Sequence, residues 1–209
     1  MRLYASADIH GSQYRLNIIL KNIERYKPDI VVICGDITQF GPGSLAKTLL
    51  DQIPIRTLAV HGNIDTSDVV QAISNTRAVN MHLRQININN ESFIGIGGDI
   101  PTDLFECKIK NNSATIPIKD AINSNTILIS HVPPYNTMDK VFIGRHIGSK
   151  ELLRLVEETK PRLVLCGHVH EDPGVTRLNK SIIVNCSIGK RTEGAVIDIN
   201  NTINVKIID

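Results

Sequence analysis

Aromatic side chains are scarce: tryptophan is absent, and phenylalanine and tyrosine supply four residues each, together 4% of the 209-residue chain. With 42% hydrophobic and 21% charged residues, the composition still lies among ordinary soluble globular proteins, away from disordered, fibrous and membrane chains. A charge excess of either sign is lacking too. Lysine and arginine total 23 against 21 acidic residues, a net +2, which excludes bulk electrostatics as a means of holding nucleic acid or an anionic membrane. No run approaches the ~18 apolar residues of a membrane helix. Met1 to Asp8 contains no cationic segment leading into an apolar stretch, so no secretory signal is expected and the protein is read as cytoplasmic. Paired cysteines are missing. Cys34, Cys107, Cys166 and Cys186 stand far apart with no C-x-x-C, which argues against a zinc ribbon or disulfide framework and for reduced, mostly buried thiols. Linkers, repeats and low-complexity segments are absent as well, so residues 1–209 are read as a single domain. A domain of this size buries roughly 70% of the surface of its unfolded chain without help from metals or disulfides. A metal site in it has to serve function.

Short apolar runs closed by glycine or polar clusters alternate with helical spacing in the first half. Leu3 to Ala7, Ile30 to Cys34 and Ile55 to Val60 read as strands. Leu16, Ile19, Leu20 and Ile23 recur at helical spacing up to Lys27-Pro28, and Ser44 reads as the cap of a helix through Leu50 to Ile53, ended by Pro54. This β-α-β-α-β order calls for right-handed crossovers and a doubly wound layer whose ligands collect beyond the carboxyl ends of the strands. Alternation then replaces the helical period, and Gln85 to Ile88 with Glu91 to Ile96 reads as a hairpin. Residues 103 to 124 are hardly legible beyond a short helix near Ile118 to Ile122. Strands follow at Ile127 to Ser130 and Leu163 to Cys166, flanking a helix from Lys150 to Glu158 that turns Leu152, Leu153, Leu155 and Val156 inward. Val175 to Leu178, Ile182 to Val184, Ala195 to Ile199 and Ile203 to Ile208 read as strands parted by Asn-containing turns. Two strand-rich halves packed together, each covered by helices, accommodate these segments.

The residues with chemistry sit immediately after strands. Asp8-x-His10 follows the first, Gly35-Asp36 the second and Gly62-Asn63-x-Asp65 the third; His131 and Gly167-His168-x-His170 follow two later ones. Oxygen and imidazole donors gathered with no cysteine among them suit Mn²⁺, Fe, Zn²⁺, Ni²⁺ or Co²⁺ and not a structural zinc site. The glycines ahead of Asp36, Asn63 and His168 let the backbone turn sharply at the sheet edge.

D-x-H, then G-D 28 residues on, G-N-x-D a further 27, an isolated histidine and G-H-x-H: in this order the motifs resemble the calcineurin-like metallophosphoesterase superfamily, over nearly the whole chain. The resemblance implies an α/β fold, a four-layer α/β/β/α sandwich of two mixed β-sheets, around a dinuclear metal centre. It implies that Asp8, His10 and His170 hold one ion, that Asn63, His131 and His168 hold the other, and that Asp36 bridges them. Two divalent metal ions are the implied cofactors, manganese first, with Fe, Zn²⁺, Ni²⁺ or Co²⁺ as alternatives. In-line attack on phosphorus by a hydroxide shared between the ions comes with the same resemblance. Electrostatics agrees with this roster. Two divalent ions about 4 Å apart repel and need an anion between them, which a carboxylate such as Asp36 supplies and an imidazole does not. Neutral Asn63 leaves the ions net positive and able to attract phosphate.

One position departs from the family pattern. Many phosphatases of the superfamily have a histidine after the asparagine, which the family's account has protonate or stabilise the leaving oxygen; here that residue is Ile64. A missing general acid costs roughly 10² to 10⁴ in rate with a poor leaving group, so a small phosphodiester is expected as substrate in preference to an alkyl monoester. His146, in Gly144-Arg145-His146-Ile147-Gly148-Ser149, is the candidate for contact with substrate or leaving group, and Arg145 a candidate for phosphate. Asp65, named with His146 among the residues serving catalysis, is expected to orient a ligand. His61 is expected to turn from the site, His82 to be a solvated strand residue, and Asn185 to tie a loop to backbone groups. The alternatives are a broad-specificity phosphomonoesterase and a non-catalytic scaffold of the same fold; a scaffold should have eroded ligands, whereas all seven positions are filled. A monomer or small homo-oligomer is expected, with no nucleic-acid duplex and no membrane as partner.

Overall fold

In the computed structural model, which describes residues 1–189 and 191–209, two β-sheets pack face to face. The first sheet is built on three parallel strands, β1 (Arg2–Ser6), β2 (Ile30–Cys34) and β3 (Thr57–Val60), joined by α1 (Gln13–Tyr26) and α2 (Gly43–Leu50). After α3 (Ser67–Ser74), β4 (Val79–Asn80) extends it; β13 (Ala195–Ile199) and β14 (Ile203–Ile207) add antiparallel strands at the other side, giving the order β14-β13-β1-β2-β3-β4. The second sheet begins with the hairpin β5 (Arg84–Ile88) and β6 (Glu91–Ile96), paired antiparallel as alternation predicts. It continues in parallel through β9 (Thr126–Ser130), β10 (Leu163–Cys166) and β12 (Ser181–Asn185). With β7 (Lys108–Lys110), β8 (Thr115–Pro117) and β11 (Gly174–Leu178) its order is β11-β12-β10-β9-β6-β5-β7-β8.

Alternation along buried strands sorts the apolar residues into three layers. Leu3, Val32 and Leu58 of the first sheet meet Phe93, Ile129 and Leu165 of the second. Tyr4, Val31 and Ile33 face the other way onto Leu16, Ile19 and Leu49 of the helices. Ile94, Leu128 and Val164 are covered by Leu152, Leu155 and Val156 of α5 (Lys150–Thr159). Helices, sheet, sheet and helices make the four-layer sandwich that the motifs implied.

Local details differ from expectation where tertiary contacts take over. Ser44 lies inside α2; Pro42 holds the cap position, and the Gly43 N–H is satisfied by Asp68 Oδ2 of α3 at 2.6 Å. Leu153 is half-buried while Leu152, Leu155 and Val156 on α5 are enclosed. The illegible stretch resolves into a 3₁₀ turn at Leu104–Glu106, β7, β8 and α4 (Ile118–Ala121), pieces of three or four residues in which no period can develop. Ser12 caps α1 by accepting from the Arg15 N–H at 3.3 Å, and Ser149 caps α5 in the same way through Leu152 at 3.1 Å.

Candidate metal centre

The carboxyl ends of β1, β2 and β3 in one sheet and of β9 and β10 in the other deliver their following loops to one place. Seven side chains meet there, those of Asp8, His10, Asp36, Asn63, His131, His168 and His170. On one side His10 Nε2 lies 3.1 Å from His170 Nε2, which is 3.4 Å from Asp8 Oδ1; Asp36 Oδ2 is 4.0 Å from His10 Nε2. On the other, His131 Nε2 lies 2.9 Å from Asn63 Oδ1, 3.3 Å from His168 Nδ1 and 3.4 Å from Asp36 Oδ1. Asp36 thus turns one oxygen to each group.

With His131 neutral, these contacts are the ones that a cation held among the donors would explain. His131 Nδ1 is 2.8 Å from the Cys34 carbonyl, to which it must donate, so Nε2 carries a lone pair. That lone pair faces the amide oxygen of Asn63 and the carboxylate of Asp36. Ligand atoms each about 2.1 Å from one ion stand roughly 3.0 to 3.4 Å apart in octahedral or tetrahedral arrays, which matches the spacings among the imidazoles here. The residues present therefore fit divalent ions. The Cys34 carbonyl also fixes the ring and tautomer of His131, the outer support usual for a ligating histidine.

Burial pushes the Asp36 carboxyl up to about 6, partly offset by His131 and reinforced by the charge of Asp8. Asp8 is fully buried, a condition that opposes its charge, yet its contact with His170 and the charge of His131 hold it below the usual carboxylate range. Burial lowers His10 and His168, favouring the neutral form that binds metal. Contact with Asp8 raises His170.

The backbone at these loops is unusual, and at the ligands themselves. Asp8 (φ 64°), His10 (φ 51°), Asp36 (φ 49°) and His168 (φ 70°) adopt the left-handed region that L-residues avoid at a cost of about 1 kcal/mol each. Of the three glycines credited with sharp turns, only Gly35 has a positive φ, +91°. Gly62 and Gly167 are needed for space: a Cβ on Gly62 would strike the Asp36 carboxylate and one on Gly167 would strike Ala7.

Asp65 lines up no metal atom. Its carboxylate accepts from the N–H groups of Ile37, Thr38 and Gly62 at 2.8 to 2.9 Å and from Thr38 Oγ1 at 2.9 Å, clamping the Asp36 loop to the Asn63 loop. Asn185 ties three loops together, donating to the carbonyls of Met138, Val169 and Asp172 and accepting from Ser187, as its sequence position suggested. His61 turns from the centre, packs against His82 at a tilt of 58° with ring centroids 4.7 Å apart, and is pushed down to about 4 by burial and the neighbouring His82. His82 is not a solvated strand residue: it is half-buried and its Nδ1 accepts the Gly97 N–H at 3.0 Å, because the loop after β6 folds over it.

His146 engages none of the seven ligands. Its Nδ1 sits 2.5 Å from Oδ1 of the fully buried Asp139, and the ring lines a 770 Å³ cavity together with Arg145, Tyr135, Val132 and Asp99. Sequence reading missed Asp139 and also Arg15, whose guanidinium donates to the Asp8 carbonyl. A buried acid in an irregular loop has no spacing signature; Arg15 three residues beyond a helix cap was open to recognition.

The family model described as calcineurin-like phosphoesterase matches residues 1–172. An uncharacterized protein of Methanocaldococcus jannaschii, MJ1162, is 32% identical over 200 residues, 90% of this chain and 88% of its own length. Among solved structures, a dimetal phosphatase from Danio rerio superposes with a TM-score of 0.67 at 11% identity, covering 99% of this chain and 95% of that one. An archaeal phosphodiesterase does so with a TM-score of 0.59 at 11% identity, covering 100% of both. At such identities these two likenesses speak for the fold alone. Among the described residues no helix is long and apolar enough to cross a membrane.

Proposed function

Because the chain belongs to the calcineurin-like phosphoesterase family and is a metal-dependent phosphoric ester hydrolase, we propose that its substrate is a small phosphodiester. Neighbours of the same fold include both a phosphatase and a phosphodiesterase, so the fold does not choose between them. Ile64 carries the choice. Its backbone N–H lies 3.3 Å from Asp36 Oδ1, at the edge of the centre, and its side chain has no proton to give a departing oxygen.

In this reading Asp8, His10 and His170 would hold one ion and Asn63, His131 and His168 the other, with Asp36 serving both. When bound, the ions supply charge neutralisation at the phosphoryl oxygens and acidification of water. Manganese is proposed on the sulfur-free oxygen and nitrogen donor set. Asp65 is a positioning residue that fixes the spacing of the Asp36 and Asn63 loops. His146 donates Nδ1–H to Asp139, so Nε2 is the atom left for the cavity, and we assign it the leaving-group arm of an ester large enough to enter. The near-neutral charge supports a small cytoplasmic ester over a duplex or a membrane surface, acted on by a monomer or small homo-oligomer.

The test is a comparison, on manganese-reconstituted protein, of an alkyl phosphate monoester with a cyclic nucleotide and an aryl diester. Diesters are expected to turn over faster; faster turnover of the alkyl monoester overturns the proposal. Ile64→His is expected to raise alkyl monoester turnover by up to about 10². His146→Asn should raise KM for diesters with a large leaving group, whose arm it contacts, more than it changes kcat.

A further inference from the structure

A second cleft, of 780 Å³, opens beside the metal centre with His170 on its wall. Three cations reach it from separate parts of the chain: Arg15 in the first turn of α1, Lys140 in the loop after β9, and Arg191 in the loop before β13. The Arg15 guanidinium is held beside the centre by the Asp8 carbonyl, and that is its one side-chain hydrogen bond among the described residues, so most of its five N–H donors are left for a ligand. Two carboxylates oppose these cations, Glu171 and Asp172, and Asp172 Oδ2 is occupied by the Lys140 backbone N–H at 3.0 Å. Phe142 stands on the same wall with 91% of its surface in water, the most exposed large hydrophobic side chain described in a protein that has four phenylalanines. Ile143 beside it is 84% exposed, and an apolar patch displayed at the lip of a polar cleft marks a binding surface and does nothing for the core.

We infer that this cleft binds the other arm of the diester, the one that stays on phosphorus when the arm in the His146 cavity leaves, and that this arm is a nucleoside phosphate. A base has the flat apolar face that stacks on Phe142. A second phosphate has the charge and the oxygens that Lys140 and Arg191 recognise. The inference rests on the phosphodiesterase reading of the same centre and adds the chemical class of the arm.

The test measures inhibition of bis(4-nitrophenyl) phosphate hydrolysis by ADP, AMP and inorganic phosphate on the full-length manganese-loaded protein, with calorimetric titration of the same three compounds as a readout free of turnover. ADP is expected to bind about tenfold more tightly than AMP, and AMP about tenfold more tightly than phosphate. Lys140→Ala and Arg191→Ala should bring ADP back to the level of AMP, and Phe142→Ala should bring AMP back to the level of phosphate. Equal binding of the three compounds overturns the inference. So does an ADP advantage that survives both cation substitutions, since ADP would then be bound by the ions alone. If no diester is hydrolysed at all, the phosphodiesterase reading fails, and calorimetry still decides the cleft by the same orderings.

Discussion

Asp36 is only 4% exposed and lies beside a second carboxylate, Asp8, and burial pushes its carboxyl up to about 6. Since this lies above the ordinary 3.8, the folded protein keeps a proton there that the unfolded chain releases. The group therefore costs the metal-free protein stability as pH rises from about 4 to about 6, reaching on the order of 3 kcal/mol above that window. Cations at the centre reverse the sign. Asp36→Asn is expected to raise the melting temperature of the metal-free protein by several degrees at pH 7, with the gain shrinking towards pH 4, while the rise on adding Mn²⁺ and the phosphoesterase activity are lost. Scanning calorimetry across pH checks this, and a metal-free variant no more stable than its parent at pH 7 would contradict it. The donor identities at this scale were legible, because carboxylates, imidazoles and an amide placed after apolar runs have few other uses in such numbers. The positive φ of Asp8, His10, Asp36 and His168 was not legible, since no residue type announces it.

Loops, more than strands, decide the spacing of the donors. Asp65 accepts four hydrogen bonds from the Asp36 and Asn63 loops, three of them from backbone N–H groups. An amide there would turn a donor towards donors. Asp65→Asn should cost about 3 kcal/mol, or roughly 6 to 12 °C in melting temperature, and should weaken metal uptake although Asp65 touches no ion; titration of Mn²⁺ against the variant measures it, and unaltered affinity would mean that the loops hold their spacing without the clamp. Strands and the longer helices were readable from period alone. α3 escaped because only Val69, Ala72 and Ile73 of its eight residues are buried, and β7 and β8 because three residues cannot show alternation. The loop after β9, which carries Lys140, Phe142 and His146, has no period at all, and its course depends on Asp139, whose carboxylate accepts from Asn136 N–H at 3.0 Å and Gly148 N–H at 2.8 Å.

At the scale of the molecule, the centre exists because two sheets end at one edge, and what aligns them is the apolar layer between them. Phe93, fully buried in that layer opposite the first sheet, is the largest side chain there. Phe93→Ala is expected to cost about 3 to 5 kcal/mol in one cooperative transition monitored by denaturant unfolding; separate melting of the sheets would show that they are not coupled through this layer. Apolar period was enough to indicate an α/β layer, and the order of motifs, through its resemblance to the family, implied a phosphoesterase with seven candidate ligands, because apolar period and donor type are properties of the chain read locally. Only the tertiary structure decided which donors face each other, that Asp36 turns an oxygen to each group, that Asp65 is a clamp and His146 the partner of a buried acid, and that cations from α1 and two distant loops share a cleft with Phe142. Those relations join residues as far apart as His10 and His170. Their distances are set by packing between sheets, which sequence spacing does not encode.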